Sequence, residues 1–158
     1  MKIRQGFVSN SSSSSFICDI SGETVEGYEC GLEDAGMYEC ENGHVFLEEY
    51  LERNEEIDLL EKNDENQEFR YSIPERFCPI CTFKYIMEQD LVAYIQAVYQ
   101  IKQNEVYDYM KSKSKRLRKI RSIYWFEVLE IKEGISKLKL TEKIKKEFKN
   151  YDEFKKGI

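Results

Sequence analysis

Met37-Tyr38-Glu39-Cys40-Glu41-Asn42-Gly43-His44-Val45-Phe46 is the stretch that decides the fold, and Cys78-Pro79-Ile80-Cys81 completes it. Met37 to Cys40 reads as a strand entering a turn. Asn42-Gly43 stands at the tip, the strongest short hairpin signal, because both residues tolerate positive φ. Val45-Phe46 reads as the return strand. Such a hairpin presents Cys40 and His44 from one loop. Cys78-x2-Cys81 presents a second pair, on a turn stiffened by Pro79.

Two closely spaced pairs of soft or borderline donors are what a tetrahedral zinc ion requires, because each tight turn delivers two ligands at little ordering cost. The expected ligand set is therefore Cys40, His44, Cys78 and Cys81, holding one Zn2+. A four-ligand site has no open coordination position, so the metal is expected to be structural, its binding energy serving as folding energy for residues 37–83. The pairs are separated by thirty-three residues, longer than a minimal ribbon needs, so residues 45–77 are read as an insertion. Two other readings compete with zinc. Cys40 and Cys78 could be plain buried thiols beside an exposed His44. A redox C-x-x-C is disfavoured because no thioredoxin-like βαβ pattern surrounds it.

Outward from this centre, the N-terminal side is short of periodicity. The run Asn10-Ser11-Ser12-Ser13-Ser14-Ser15 is read as loop and Phe16 to Ile20 as a short strand. Residues 21–36, with Gly22, Gly27, Gly31 and Gly36, are read as turns. After the hairpin, Leu47, Tyr50, Leu51, Ile57 and Leu60 suggest a helix from Leu47 to about Lys62 with acidic faces between. Asn63 to Glu68 is polar loop, and Tyr71-Ser72-Ile73 is a brief extended piece before Pro74.

Beyond the second knuckle the pattern turns helical. A helix is expected over 85–102, a second over 105–120 with Asn104 as its cap, and a third over 121–133, where apolar residues are densest, ended by Gly134; a strand is the alternative over 121–133, because β-branched and aromatic residues are dense there. Thr141 is expected to cap a last helix with Ile144, Phe148 and Tyr151 on one face. The fold class is thus α+β: a zinc-ribbon-like β module with the Ser-rich N-terminal motif over residues 1–83, then a basic helical region over 84–158.

Composition bounds the rest. The chain has 158 residues, 41% apolar and 34% charged, with a net charge of −6. A core is affordable but modest. No run of eighteen apolar residues exists, so no transmembrane helix and no membrane partner are expected. No apolar segment follows the charged start, so no secretory signal is expected either. The five cysteines, an odd number, fit a reducing, cytoplasmic setting better than a disulfide scaffold. Cys18 and Cys30 are read as small buried hydrophobes, with Cys18 replacing one of the four ligands as the alternative. Charge is polarised: residues 19–68 carry eighteen acids and two bases, whereas 102–158 carry seventeen bases and nine acids. Lys111, Lys113, Lys115, Arg116, Arg118, Lys119 and Arg121 could track a phosphate backbone. The plainer reading is a solvated helix, because no aromatic platform interleaves them.

The opening Lys2-Ile3-Arg4-Gln5-Gly6-Phe7-Val8-Ser9-Asn10 with Ser11 to Ser15 and Phe16 resembles the start of a group of small uncharacterised proteins common in bacteriophages and some bacteria, whose openings read GFVSNSSSSSF. The stretch Asp34 to His44 with Cys78-Pro79-Ile80-Cys81 is similar to the zinc-ribbon-like core of that group, and Phe148-Lys149-Asn150-Tyr151-Asp152-Glu153-Phe154 to its endings. The resemblance implies a phage-encoded protein in a host cytoplasm and carries no activity with it. It would place cysteines at Ser21 and near Glu48; neither is present, which argues against a second metal site.

The functional expectation is a non-enzymatic, zinc-stabilised binding protein that contacts a host or phage macromolecule, most simply a protein. The alternative is nucleic-acid binding through residues 111–121. No Ser/His/Asp or Cys/His catalytic pairing can be built, since the single histidine is committed to metal, and no phosphate-binding glycine loop occurs.

Overall fold

A computed structural model of the chain describes residues 13–28, 31–63, 72–113 and 120–158. They divide into two compact units, Met1–Lys84 and Tyr85–Ile158.

Among its described residues the N-terminal unit has two small antiparallel hairpins. In the first, β1 (Ser13–Ile17) pairs with β2 (Thr24–Tyr28), Phe16 opposite Val25. Two expectations are corrected here. Ser13–Ser15 of the serine run open β1 and are not loop, Asn10 to Ser12 lying outside the described residues, and residues 21–36 are not all turn, since they contain β2. Serine and glycine are poor strand formers on their own, so their local sequence does not announce a strand; the partner's ladder supplies the missing preference. The strand also ends earlier than expected, at Ile17. There the chain folds back through a turn closed by Cys18 N–H to the Glu23 carbonyl and Gly22 N–H to the Cys18 carbonyl, each 2.8 Å. Gly22 takes φ 71° in that turn. Cys18 and Ile20 are buried, so the turn itself contributes to the core.

In the second hairpin, β3 (Met37–Glu39) pairs with β4 (Val45–Leu47), Tyr38 opposite Phe46. Here the sequence reading and the structure agree on both strands. Met37 and Phe46 are buried with Ile57, Ile73 and Ile80. The helix expected from Leu47 is corrected: Leu47 closes β4, a 3-10 turn covers Glu48–Tyr50, and α1 runs only over Glu55–Asn63. The spacing of Leu47, Tyr50 and Leu51 imitates a helical face, but Leu47 is taken by its ladder partner Met37. Asn54 then starts α1, its side-chain oxygen accepting the Ile57 N–H at 2.9 Å, as N-cap residues do.

The second unit holds five helices among its described residues: α2 (Glu88–Val98), α3 (Gln103–Lys113), α4 (Ser122–Glu133), α5 (Lys137–Glu147) and α6 (Tyr151–Lys156). Helix α4 packs against both α2 and α3, which explains why its sequence is apolar nearly all round. Trp125, Phe126, Val128 and Leu129 are buried from it, with Leu91, Tyr94, Ile95, Val106 and Met110 opposite. Gly134 ends α4 at φ 68°, donating its N–H to the Glu130 carbonyl, a left-handed cap that glycine adopts without strain.

Two expected caps are corrected. Asn104 lies inside α3, and Glu105 reaches back to accept the Lys102 N–H at 3.0 Å. Ser136, not Thr141, caps α5, accepting the Lys139 N–H; Thr141 is an interior residue whose hydroxyl donates to the Lys137 carbonyl. The expected single last helix is two, because Phe148 is extended (φ −114°, ψ 141°) and Asn150 begins a fresh turn by accepting the Glu153 N–H. Phe148 and Tyr151 nonetheless meet on Phe154, ring centroids 5.6 and 5.8 Å away.

Two carboxylates are buried at the start of α2. Glu88 accepts from Ser122 and pairs with Lys137 (2.7 Å); Asp90 accepts from Tyr151 and pairs with Lys155 (2.6 Å each). A buried charge persists only with such partners, and the helix N-terminus favours the negative sign. The basic residues of the C-terminal helices are thus partly consumed within their own unit. Among the described residues, no helix is long and apolar enough to cross a membrane.

Candidate metal centre

The two knuckles are built by different local rules. The first is the tip of the β3–β4 hairpin: Cys40 N–H donates to the His44 carbonyl at 3.0 Å, and Gly43 N–H to the Cys40 carbonyl at 2.7 Å. Gly43 carries φ 79°, the left-handed position such a loop needs after its turn. The second knuckle follows a 3-10 turn over Glu75–Phe77. Cys78 N–H donates to the Glu75 carbonyl and Thr82 N–H to the Cys78 carbonyl, each 3.0 Å. Cys81 N–H points at Cys78 Sγ, 3.4 Å away, so the backbone already offers a donor to a sulfur. Ile80, between the cysteines, is buried and anchors the knuckle to the core.

A backbone bridge of one residue ties the chain leading to the second knuckle onto the first. Ile73 forms a parallel bridge with Cys40: its N–H donates to the Glu39 carbonyl (2.8 Å) and its carbonyl accepts the Glu41 N–H (3.0 Å). Five residues later the chain reaches Cys78. Of the extended piece expected at Tyr71-Ser72-Ile73, Tyr71 lies outside the described residues and Ile73 is the clamp that closes the long segment between the pairs; no separate signal in the sequence marks Ile73 for that duty.

The four donor atoms of Cys40, His44, Cys78 and Cys81 lie within 4.8 Å of one another. His44 turns Nδ1 to the sulfurs, 3.4 Å from Cys40, 3.6 Å from Cys78 and 3.3 Å from Cys81. Cys40 and Cys81 are 3.8 Å apart, sulfur to sulfur. A tetrahedron with metal–sulfur bonds of about 2.3 Å and a metal–nitrogen bond of about 2.05 Å has edges of about 3.8 Å between sulfurs and about 3.6 Å from sulfur to nitrogen. The four distances given match these edges to within a few tenths of an ångström, so the residues fit a zinc-sized ion. Cys40 and Cys78 are buried and Cys81 and His44 half-buried; an exposed His44 beside unrelated thiols is not what the structure contains.

The protons of the cluster are unevenly held. Cys40 is brought down to about 3, chiefly by its hydrogen bond with the Cys78 thiol, with His44 adding to it and burial opposing. Cys78 is pushed up, by the same bond and by burial, and burial raises Cys81. One thiol gives its proton up readily while a neighbour keeps its own. A divalent cation held by Cys40, Cys78, Cys81 and His44 would displace the thiol protons and offset two of the three thiolate charges.

Cys18 is buried but is not one of the clustered donors; Cys30 lies outside the described residues. Of the seven basic residues singled out, Lys115, Arg116, Arg118 and Lys119 lie outside them too. Lys111 and Lys113 sit in the last turn of α3, over the rings of Tyr107 (4.4 Å) and Tyr109 (5.4 Å), and Arg121 precedes α4. A second polar cluster, not anticipated, surrounds Arg53: its guanidinium reaches Glu48, Asp58 and Glu61 and donates to the Tyr38 hydroxyl at 2.9 Å. Burial, with Glu61 beside it, pushes Tyr38 up to about 12. The arrangement ties the acids around α1 to one cation and to β3.

No family description, curated protein or solved structure matches this chain.

Proposed function

We propose that Cys40, His44, Cys78 and Cys81 hold one structural zinc ion and that the protein is a non-enzymatic, zinc-stabilised binding protein. The observation that carries this is the convergence of three sulfurs and one imidazole nitrogen, all within 4.8 Å, from turns thirty-three residues apart in sequence. Zinc is preferred over other divalent ions because sulfur-rich tetrahedral sites select it. Four protein ligands leave no position for a substrate, which makes the ion a strut for the two knuckles.

The remaining surface is then what contacts a partner. The resemblance of the opening motif to phage-type proteins supports a phage-encoded chain working in a host cytoplasm on a host or phage macromolecule. Two exposed lysines engaged over their own helix's tyrosines give no particular support to the nucleic-acid alternative.

Metal analysis of protein purified without added metal tests the proposal: one zinc per chain is expected. Less than a tenth of an equivalent, combined with failure to take up cobalt with the visible absorption of a tetrahedral thiolate site, would overturn it.

A further inference from the structure

Asn42 stands between the two cysteines' knuckles and has no backbone reason to be asparagine. An Asn-Gly tip is ordinarily explained by two residues at positive φ. Here only Gly43 takes that conformation; the non-glycine residues with positive φ among those described are Phe83 and Gln100. Many residues would serve the turn equally well. The asparagine's amide, however, crosses to the other knuckle. Its Nδ2 lies 3.3 Å from Cys81 Sγ and 3.0 Å from Glu75 Oε2, so its two N–H groups have one acceptor each. Glu75 is itself tied back, its N–H donating to Glu41 Oε2 at 3.3 Å. Adjacent residues of the first knuckle thus grip the turn that carries the second.

The sulfur it touches is the vulnerable one. Cys40 and Cys78 are fully buried, whereas Cys81 is the half-buried cysteine of the cluster. Cys81 also lies outside the backbone bond that Cys78 receives from its own knuckle.

Resting on the zinc reading above, we infer that Asn42 is a positioning residue for the metal: its side-chain amide donates to the Cys81 thiolate, drains charge from that sulfur and locks the first knuckle to the second. Groups of this kind, one shell beyond the ligands, commonly alter metal affinity by about 10–100-fold. A hydrogen bond to a thiolate also lowers the energy of its lone pairs. Its loss should therefore shift the sulfur-to-cobalt charge-transfer band to longer wavelength, a change that weakened folding alone does not produce.

The test is a cobalt titration of the full chain and of Asn42→Ala, Asn42→Asp and Asn54→Ala. The last removes the cap of α1 and controls for lost stability without touching the site. Asn42→Ala should bind cobalt about 10–100-fold more weakly with a red-shifted band, Asn42→Asp more weakly still because a carboxylate faces the thiolate, and Asn54→Ala should keep the parent band. Parent-like band position and affinity within about twofold in Asn42→Ala would overturn the inference. So would failure of both Asn42 variants to fold in excess cobalt, since one hydrogen bond to a sulfur cannot carry the fold. If the parent chain itself takes up no cobalt, the zinc reading falls; if it binds and Asn42→Ala matches it, only the role of Asn42 does.

Discussion

Binding of metal should raise the stability of the N-terminal unit by a large and calculable amount. His44 Nδ1 stands 3.3–3.6 Å from the three sulfurs and Cys40 Sγ 3.8 Å from Cys81 Sγ, with all four donors within 4.8 Å, against edges of about 3.6–3.8 Å in a zinc tetrahedron. Metal entry therefore moves the donors by no more than about an ångström, and little of the binding energy is consumed in rearrangement. A ligand that binds only the folded state adds RT ln(1 + [L]/Kd), about 4 kcal/mol at a thousandfold excess over Kd. For a unit of this size that corresponds to roughly 15–30 °C in midpoint. The measurement compares chelator-stripped protein with protein in buffered zinc, following thiol reactivity during heating. Three of the five cysteines should become protected with zinc and react together at the higher midpoint. Trp125, the single tryptophan, is buried in the helical unit, and its fluorescence transition is an internal control expected to shift by no more than a few degrees. Equal thiol reactivity with and without zinc, or midpoints that differ by less than about 2 °C, would refute the reasoning.

Other perturbations have distinct readouts. Ile73→Pro removes the N–H that donates to the Glu39 carbonyl and should abolish tight metal binding although no ligand is changed; cobalt uptake equal to the parent's would contradict the clamp. Gly134→Ala places a Cβ at φ 68° with open space around it, so strain alone acts, and the helical unit should lose about 1 kcal/mol in urea unfolding followed by Trp125. Ser136→Ala should cost a similar amount, about 1 kcal/mol, by orphaning the Lys139 N–H. Tyr94 is buried, donates to Glu147 at 3.0 Å, and is pushed up to about 12 by burial first and that carboxylate second. A raised folded value means that the stability it lends is fully present below about pH 10 and is lost as pH climbs toward 12. Across that window the helical unit should lose more stability than Tyr94→Phe does, measured by Trp125-monitored unfolding; parallel pH profiles would refute the assignment.

The four side chains that cluster and the β3–β4 hairpin were legible in the residues themselves. The Asn-Gly tip, the C-x3-H and C-P-x-C spacings and Gly134 are local signals, each complete within five residues. The helical character of the C-terminal part was legible for the same reason: the apolar positions around Leu91 to Ile95 and Trp125 to Leu129 repeat within a few turns. The boundaries were less so. Leu47 fits a helical stripe as well as it fits a strand end, and its pairing with Met37 decided between them. Thr141 is as good a cap as Ser136 by residue type, and only the path of the chain out of Gly134 chose the latter.

By itself, then, the amino-acid order determined which side chains have metal-binding chemistry, which short turns display them in pairs, and where helix gives way to loop at a glycine. Tertiary structure alone decided that Ser13–Ser15 and residues 24–28 become strands, that Ile73 clasps Cys40, that His44 presents Nδ1, and that Asn42 reaches Cys81. The physical reason is range. Turn preferences and periodicity act over a few residues and are written locally, whereas a strand partner, a one-residue bridge or a hydrogen bond to a distant sulfur exists only once segments far apart in the chain have been brought to the same place.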